Sequence, residues 1–166
     1  MTKKTVTLVT VLSLLLIACQ SNPKANKAEN NNTLRIENQS DAKITDISFT
    51  LVKNYFVKNT VEKLDNPKIE TAEKFNEIFG MATTMGKDVK PTEIDFKKQN
   101  VIAVILPETD LSTNINPISL MKNTKNEITL NYKSVVGQRQ SFTTRPNFAI
   151  IIDKKENGNV TLNEIK

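Results

Sequence analysis

The 166-residue chain has no histidine, no tryptophan and a single cysteine, Cys19. It therefore lacks the usual nitrogen and sulfur ligands of zinc, copper and iron sites, and no metal or other cofactor is expected. The same absence removes Ser-His-Asp and Cys-His nucleophile systems, which need an imidazole base. One cysteine cannot close a disulfide within the chain, so the fold must rest on its apolar core. Aromatic residues make up 5% of the chain, seven Phe and two Tyr, too few for a sugar-stacking platform. Long runs of one charge are missing as well. Lysines interleave with acids, as in Lys53, Lys58, Glu62, Lys63 and Asp65. That pattern describes a solvated, mixed-charge surface, and no nucleic-acid partner is expected.

What is present begins at the N-terminus. Lys3 and Lys4 precede an uncharged hydrophobic stretch, Val6 to Ala18, which ends in Leu16-Ile17-Ala18-Cys19. A basic n-region, an apolar h-region and a small residue before a cut site are the marks of a secretion signal. The stretch is shorter than the roughly 20 residues of a spanning helix. It resembles the lipobox of bacterial lipoproteins. The resemblance implies cleavage of residues 1–18, acylation of the Cys19 thiol with palmitate-type chains, and a membrane contact made through lipid alone. Buried acyl carbons contribute about 0.8 kcal/mol per methylene, so several chains anchor durably. Gln20 after the cysteine, rather than Asp, resembles the outer-membrane sorting signal of Gram-negative lipoproteins. Cleavage takes Lys3 and Lys4 and no acid, so 23 basic residues fall to 21 against 18 acidic ones, a net of +3. Residues 19–32 read as the acylated cysteine and a flexible polar tether, because Gln20 to Asn32 has too little apolar surface to offset the entropy of ordering.

Residues 33–166 are expected to form one globular domain, large enough at roughly 130 residues to bury its own core. Ile47, Phe49 and Leu51 alternate as in a half-buried strand, followed by a second strand from Tyr55 to Val61. Asn66-Pro67 reads as a helix start, Ala72, Phe75, Ile78 and Phe79 keep helical spacing, and Gly80 suits a C-cap. Val101 to Leu106 and Phe148 to Ile152 are continuous apolar runs suited to strands buried on both faces. Ile115–Met121 and Glu127–Val136 read as further strands, with Gly137-Gln138 as a turn into Arg139–Thr144. Asn157-Gly158 reads as a hairpin turn. The fold class that follows is α+β: about six to eight antiparallel strands, as a sandwich or partly open barrel, with one main helix packed on them.

The remaining acid–base groups are carboxylates, tyrosines and lysines. Asp88, Glu93, Asp95, Glu108 and Asp110 are the acids to weigh for paired-carboxylate chemistry. Thr109 to Thr113 also reads as a polar loop with capping groups. Asp110–Asn116 has calcium-ligand residue types without the EF-hand positions. In Gly80–Gly86, Met81 and Met85 read as core gap-fillers beneath a helix end, or else as an adaptable binding loop. Arg139 and Arg145, the planar donor forks of the second half, form with Tyr132 and Phe142 a candidate interaction patch.

Ile94-Asp95-Phe96 leading to Val101-Ile102-Ala103-Val104-Ile105, and later Arg145-Pro146-Asn147-Phe148 to Asp153-Lys154, resemble small exported lipoproteins of Bacteroidetes-type bacteria. Over residues 92–165 the chain is also similar to the C-terminal domain of protease-complex-subunit lipoproteins, which share the strand pattern. It lacks the glycine-rich segment between those strands, so no functional residue is carried over. The expectation is a lipid-anchored, non-enzymatic protein of the cell envelope, on the outer membrane, that binds another protein as a subunit or modulator. The alternative is a small-ligand or glycan binder.

Overall fold

Two apolar runs organise this fold. Val101–Ile105 and Phe148–Ile152 pair antiparallel, with Ala103 beside Ala149, and are buried almost throughout. Side chains on one strand alternate between two faces, so a strand apolar on both must be covered on both. The rest of the chain supplies those covers.

The computed structural model describes residues 43–82 and 90–166. The signal segment, Cys19, the tether, the start of the domain near Thr33, and Met85, Gly86 and Asp88 lie outside the described residues. In chain order the elements are β1 (Thr45–Asp46), β2 (Thr50–Leu51), β3 (Tyr55–Val57), β4 (Lys68–Ile69), α1 (Ala72–Ile78), β5 (Phe79–Met81), β6 (Gln99–Ile105), β7 (Thr109–Lys122), β8 (Glu127–Thr144), β9 (Asn147–Asp153) and β10 (Asn159–Glu164). One sheet runs β1-β7-β8-β10, a second β2-β9-β6-β4, and β3 pairs with β5 in a third. The domain is thus strand-rich with a single helix among the described residues, and none of its sheets closes on itself.

Ile102, Val104, Phe148, Ile150 and Ile152 of the second sheet share one core with Ile115, Leu120, Ile128, Leu130 and Tyr132 of the first. The opposite face of the second sheet, carrying Val101, Ala103, Ala149 and Ile151, is covered by Phe75 and Ile78 of α1 and by Phe79. Each fully buried Ile or Leu contributes roughly 1.5–3 kcal/mol through removal from water. Phe75 is the hub of the second core, 4.8 Å from the Phe79 ring, 5.1 Å from Tyr55 and 5.8 Å from Phe96. All the described residues belong to one compact unit.

Several local expectations are corrected. The helix starts at Thr71, whose hydroxyl accepts from the Lys74 N–H at 3.2 Å, and Pro67 instead precedes β4. Gly80 is a strand residue rather than a C-cap. It faces Phe56 across β3–β5, and a Cβ there would lie 2.4 Å from the Phe56 ring. Met81 is 64% exposed and fills no core gap. The alternating segment Asp46–Val52 is no single strand: it leaves the first sheet after β1 and joins the second at β2, with Ile47 and Phe49 reaching the shared core between them. Gly137-Gln138 makes no turn, because β8 continues through it to Thr144. Thr109–Thr113 is strand, not loop.

The largest correction concerns Asn157-Gly158. β9 and β10 do not pair; the link carries the chain from the second sheet to the first, where β10 lies parallel to β8. The Asp153 carboxylate accepts from the Lys155 N–H at 2.9 Å and meets its Nζ at 3.1 Å, and these contacts hold its carboxyl below the usual range. Gly158 then takes φ +148° where the chain passes the Asn126 carbonyl.

Asn100 is 1% exposed, and neither its amide nitrogen nor its oxygen has a hydrogen-bond partner among the described residues. A buried polar group without a partner costs about 1–3 kcal/mol. Asn100→Leu is therefore expected to raise the thermal unfolding midpoint by several degrees; an unchanged or lower midpoint would show that the amide is satisfied.

Candidate protein-docking surface

β7 and β8 form a hairpin whose ends do different work. Near its turn, Ile128, Leu130 and Leu120 are fully buried between the two sheets. β1 reaches only Met121 and Lys122, and β10 pairs with Glu127–Tyr132 of β8 and no further. Beyond Tyr132, among the described residues, β7 and β8 continue as a two-stranded ribbon.

Two irregularities bend this ribbon, between Thr109 and Leu111 and between Leu111 and Thr113, and a third, between Pro117 and Ser119, lies where it leaves Asn131 and Tyr132. Leu111 pairs with Arg139 but Thr109 pairs with Thr144, so Gln140 to Thr143 stand opposite Asp110 alone. Bulges of this kind re-aim side chains and raise local twist. At the base, Leu106 N–H donates to the Pro146 carbonyl at 2.9 Å, and Thr143 Oγ1 meets Glu108 Oε1 at 3.3 Å.

Val135 and Val136 are consecutive, so they point to opposite faces, and both are more than half exposed. Among the described residues, nothing covers either face of the ribbon there. Phe142, on the wide bulge, is 58% exposed. Arg139 is equally open and its guanidinium lies 2.9 Å from the Asp110 carboxylate. An exposed pair of this kind contributes only about 0–1 kcal/mol to stability.

The four residues singled out from the sequence do not form one surface. Arg139 and Phe142 lie on the ribbon. Tyr132 is buried in the shared core, its ring 6.2 Å from Phe148, and its hydroxyl is pushed above the usual value by burial and then by Glu164. Arg145 is half-buried and donates to the Val61 carbonyl, pinning the segment before β4 to the β8–β9 link. The composition gave no sign of the ribbon's exposed valines, since Val135-Val136 reads as the end of an ordinary strand. Pairing of Asp110 with Arg139 was invisible because it depends on the bulges.

Three of the acids weighed for chemistry take structural places. Asp110 pairs with Arg139, Glu108 accepts from Thr143, and Asp95 accepts from the Lys97 N–H at 3.0 Å. Among the described residues no group of three or more acids or thiols is placed to hold a metal ion, and no helix is long and apolar enough to cross a membrane.

A separate groove of about 460 Å³ runs between Thr60–Asn66 and α1. Ile69 and Ile78 form its floor, and Lys68, Lys74 and Glu77 stand on its rim. Lys74 is paired with Glu77 at 3.0 Å, and Lys68 with Glu70 at 2.9 Å. Arg145 fixes its far wall through Val61. No protein-family model, no curated protein and no solved structure matches the chain.

Proposed function

We propose that this chain is a lipid-anchored protein of the cell envelope, attached to the outer membrane through acylated Cys19, that binds another protein as a subunit or modulator of an exported complex. It is not an enzyme on this reading: its sequence has no imidazole base, and its only thiol is consumed by lipid. The two facing four-stranded sheets make a sandwich, and the ribbon beyond Tyr132 is the docking surface. One observation carries this: the ribbon presents Val135, Val136, Phe142 and Arg139 to solvent on a backbone whose edges meet no further strand among the described residues. Aromatic and arginine side chains dominate binding energy at interfaces, and an open strand edge accepts a partner strand.

The test is crosslinking from intact membranes, with wild type compared against Arg139→Glu and Phe142→Ala. A stoichiometric partner is expected with wild type and a loss of at least about tenfold in recovery with either variant, since interface anchors contribute 2 kcal/mol or more. Cys19→Ala should leave the membrane fraction or remain uncleaved. Equal recovery from all variants would discard the ribbon, and an acylated, membrane-bound Cys19→Ala would discard the anchor.

The groove beside α1 favours a second reading, a small-ligand or glycan binder on the envelope. Its volume falls within the range of ordinary ligand sites. It would gain if no protein is captured and a ligand protects Lys74 from amine modification.

A further inference from the structure

β10 repeats part of its neighbour. Thr161-Leu162-Asn163 lies beside Thr129-Leu130-Asn131 in parallel register, each residue against its own kind. The Asn163 amide donates to Asn131 Oδ1 at 2.7 Å, and Asn131 donates on to the Ser119 hydroxyl at 2.9 Å. On its other side β10 meets no strand among the described residues, and every residue of it except Val160 is exposed.

One hydrogen bond shows which backbone groups face the open side. The Ile165 N–H donates to the Tyr132 carbonyl at 2.8 Å. Along a strand, backbone groups of successive residues address its two sides alternately. Thr161, Asn163 and Ile165 therefore address β8, while Val160, Leu162 and Glu164 present their N–H and C=O groups to the open side. β10 has no proline and a single charge, Glu164 at its end, while Asn159 to Asn163 carries none of the devices that usually keep edges apart. Leu162, 36% exposed, sits at its centre.

We infer that this edge pairs with the same edge of a second copy of the chain, antiparallel, about a two-fold axis at Leu162. The register follows from the alternation. An axis on a residue keeps inward side chains inward, whereas an axis between residues would set Leu162 opposite Thr161 and expose one of the two faces. With the axis at Leu162, all three edge-facing residues of each strand become hydrogen-bonded pairs: Leu162 with its own copy, and Val160 with Glu164 of the second copy. Axes at Thr161 or Asn163 engage fewer of them within β10. The chosen register covers Leu162 with Leu162 and sets the Thr161 hydroxyl opposite the Asn163 amide on the outer face. The two Glu164 carboxylates stay at opposite ends of the pairing. A closed two-fold contact consumes both edges and stops there, so it makes a dimer and not a fibre. Its area is one strand pair, below the roughly 1,200–2,000 Å² of standard interfaces, which makes the dimer weak and concentration-dependent.

The test uses the full-length chain. Thr161→Cys and Asn163→Cys variants are mixed and oxidised, with wild type as the control for Cys19. Directly opposed positions lie within disulfide reach, and diagonal ones lie at about 7–8 Å, beyond it. A mixed disulfide dimer is expected from the mixture and not from either variant alone. Sedimentation velocity supplies a second readout: wild type should dimerise with rising concentration, and Leu162→Lys, which sets like charges on the axis, should stay monomeric. Absence of the mixed disulfide, a wild type that stays monomeric, or a dimer retained by folded Leu162→Lys would each overturn the inference. If Leu162→Lys does not fold, the disulfide pair still decides. Arg139→Glu should leave the dimer intact, so failure here is separable from failure of the ribbon reading.

Discussion

Phe75→Ala is expected to lower the free energy of unfolding by about 3–5 kcal/mol, the range for deleting a buried phenylalanine ring. The ring is 3% exposed and touches three other aromatic rings, from β3, β5 and the segment before β6. Its removal leaves a cavity under a seven-residue helix that is too short to persist without tertiary packing. Domains of this size are stable by only 5–15 kcal/mol, so the variant should lose a large share of its stability in urea titration. The loss should be felt first on the outer layer, where α1 and the β3–β5 pair cover the second sheet. Amide exchange should rise there before it rises in β6 and β9. A change below about 1 kcal/mol would mean that Tyr55, Phe79 and Phe96 collapse into the space, as well-adapting cores do.

Gly158→Ala is expected to detach β10. The residue sits at φ +148°, a region that L residues with a side chain avoid at a cost of about 1–3 kcal/mol. A Cβ there would also fall 1.9 Å from the Asn126 carbonyl oxygen, a backbone atom that cannot rotate away. Either the β7–β8 turn or the start of β10 must move. The turn is held by Asn123, whose side-chain oxygen accepts from the Lys125 and Glu127 N–H groups at 2.9 and 3.0 Å. β10, with most of its side chains exposed, is the part that yields. Hydrogen exchange should therefore lose protection at Thr161, Asn163 and Ile165 while β6 and β9 keep theirs. Gly137→Ala is the control, since its Cβ would meet only Ser112, with the carbonyl oxygen nearest at 3.1 Å. Unchanged protection in β10 would show that the crossover tolerates a side chain. The same variant should abolish the two-fold dimer and leave capture through the ribbon unaltered.

The expectations that held rest on short-range physics. Val101–Ile105 and Phe148–Ile152 are apolar on both faces, and as short β-rich runs they are buried as strands covered on both sides. Ala72 to Ile78 has helical periodicity and a threonine ready to cap it, so a short helix is favoured there, and packing of Phe75 and Ile78 holds it. The misread positions share a different character. From local sequence Gly80, Gly137 and Gly158 each read as a cap or turn, because glycine permits those conformations. Two of them instead answer to a neighbour distant in sequence, Gly80 to the Phe56 ring and Gly158 to the Asn126 carbonyl. Composition records that a position is glycine and not which requirement made it so.

The candidate site divides in the same way. Arg139 and Phe142 were legible as residue types suited to binding, but whether they are exposed is a property of the bulged ribbon that holds them. Tyr132 has the same alternation as its strand and is core because β9 lies over it. Arg145 is held by a carbonyl more than eighty positions away. Local sequence thus sets the doubly apolar strands and the helix, since each depends on residues a few positions apart. Strand order, the parallel placement of β10, the bent ribbon and the open edge come from the competition of whole segments for two faces of one sheet. That competition is settled by burial and hydrogen-bond satisfaction between distant parts of the chain, which no window of neighbouring residues contains.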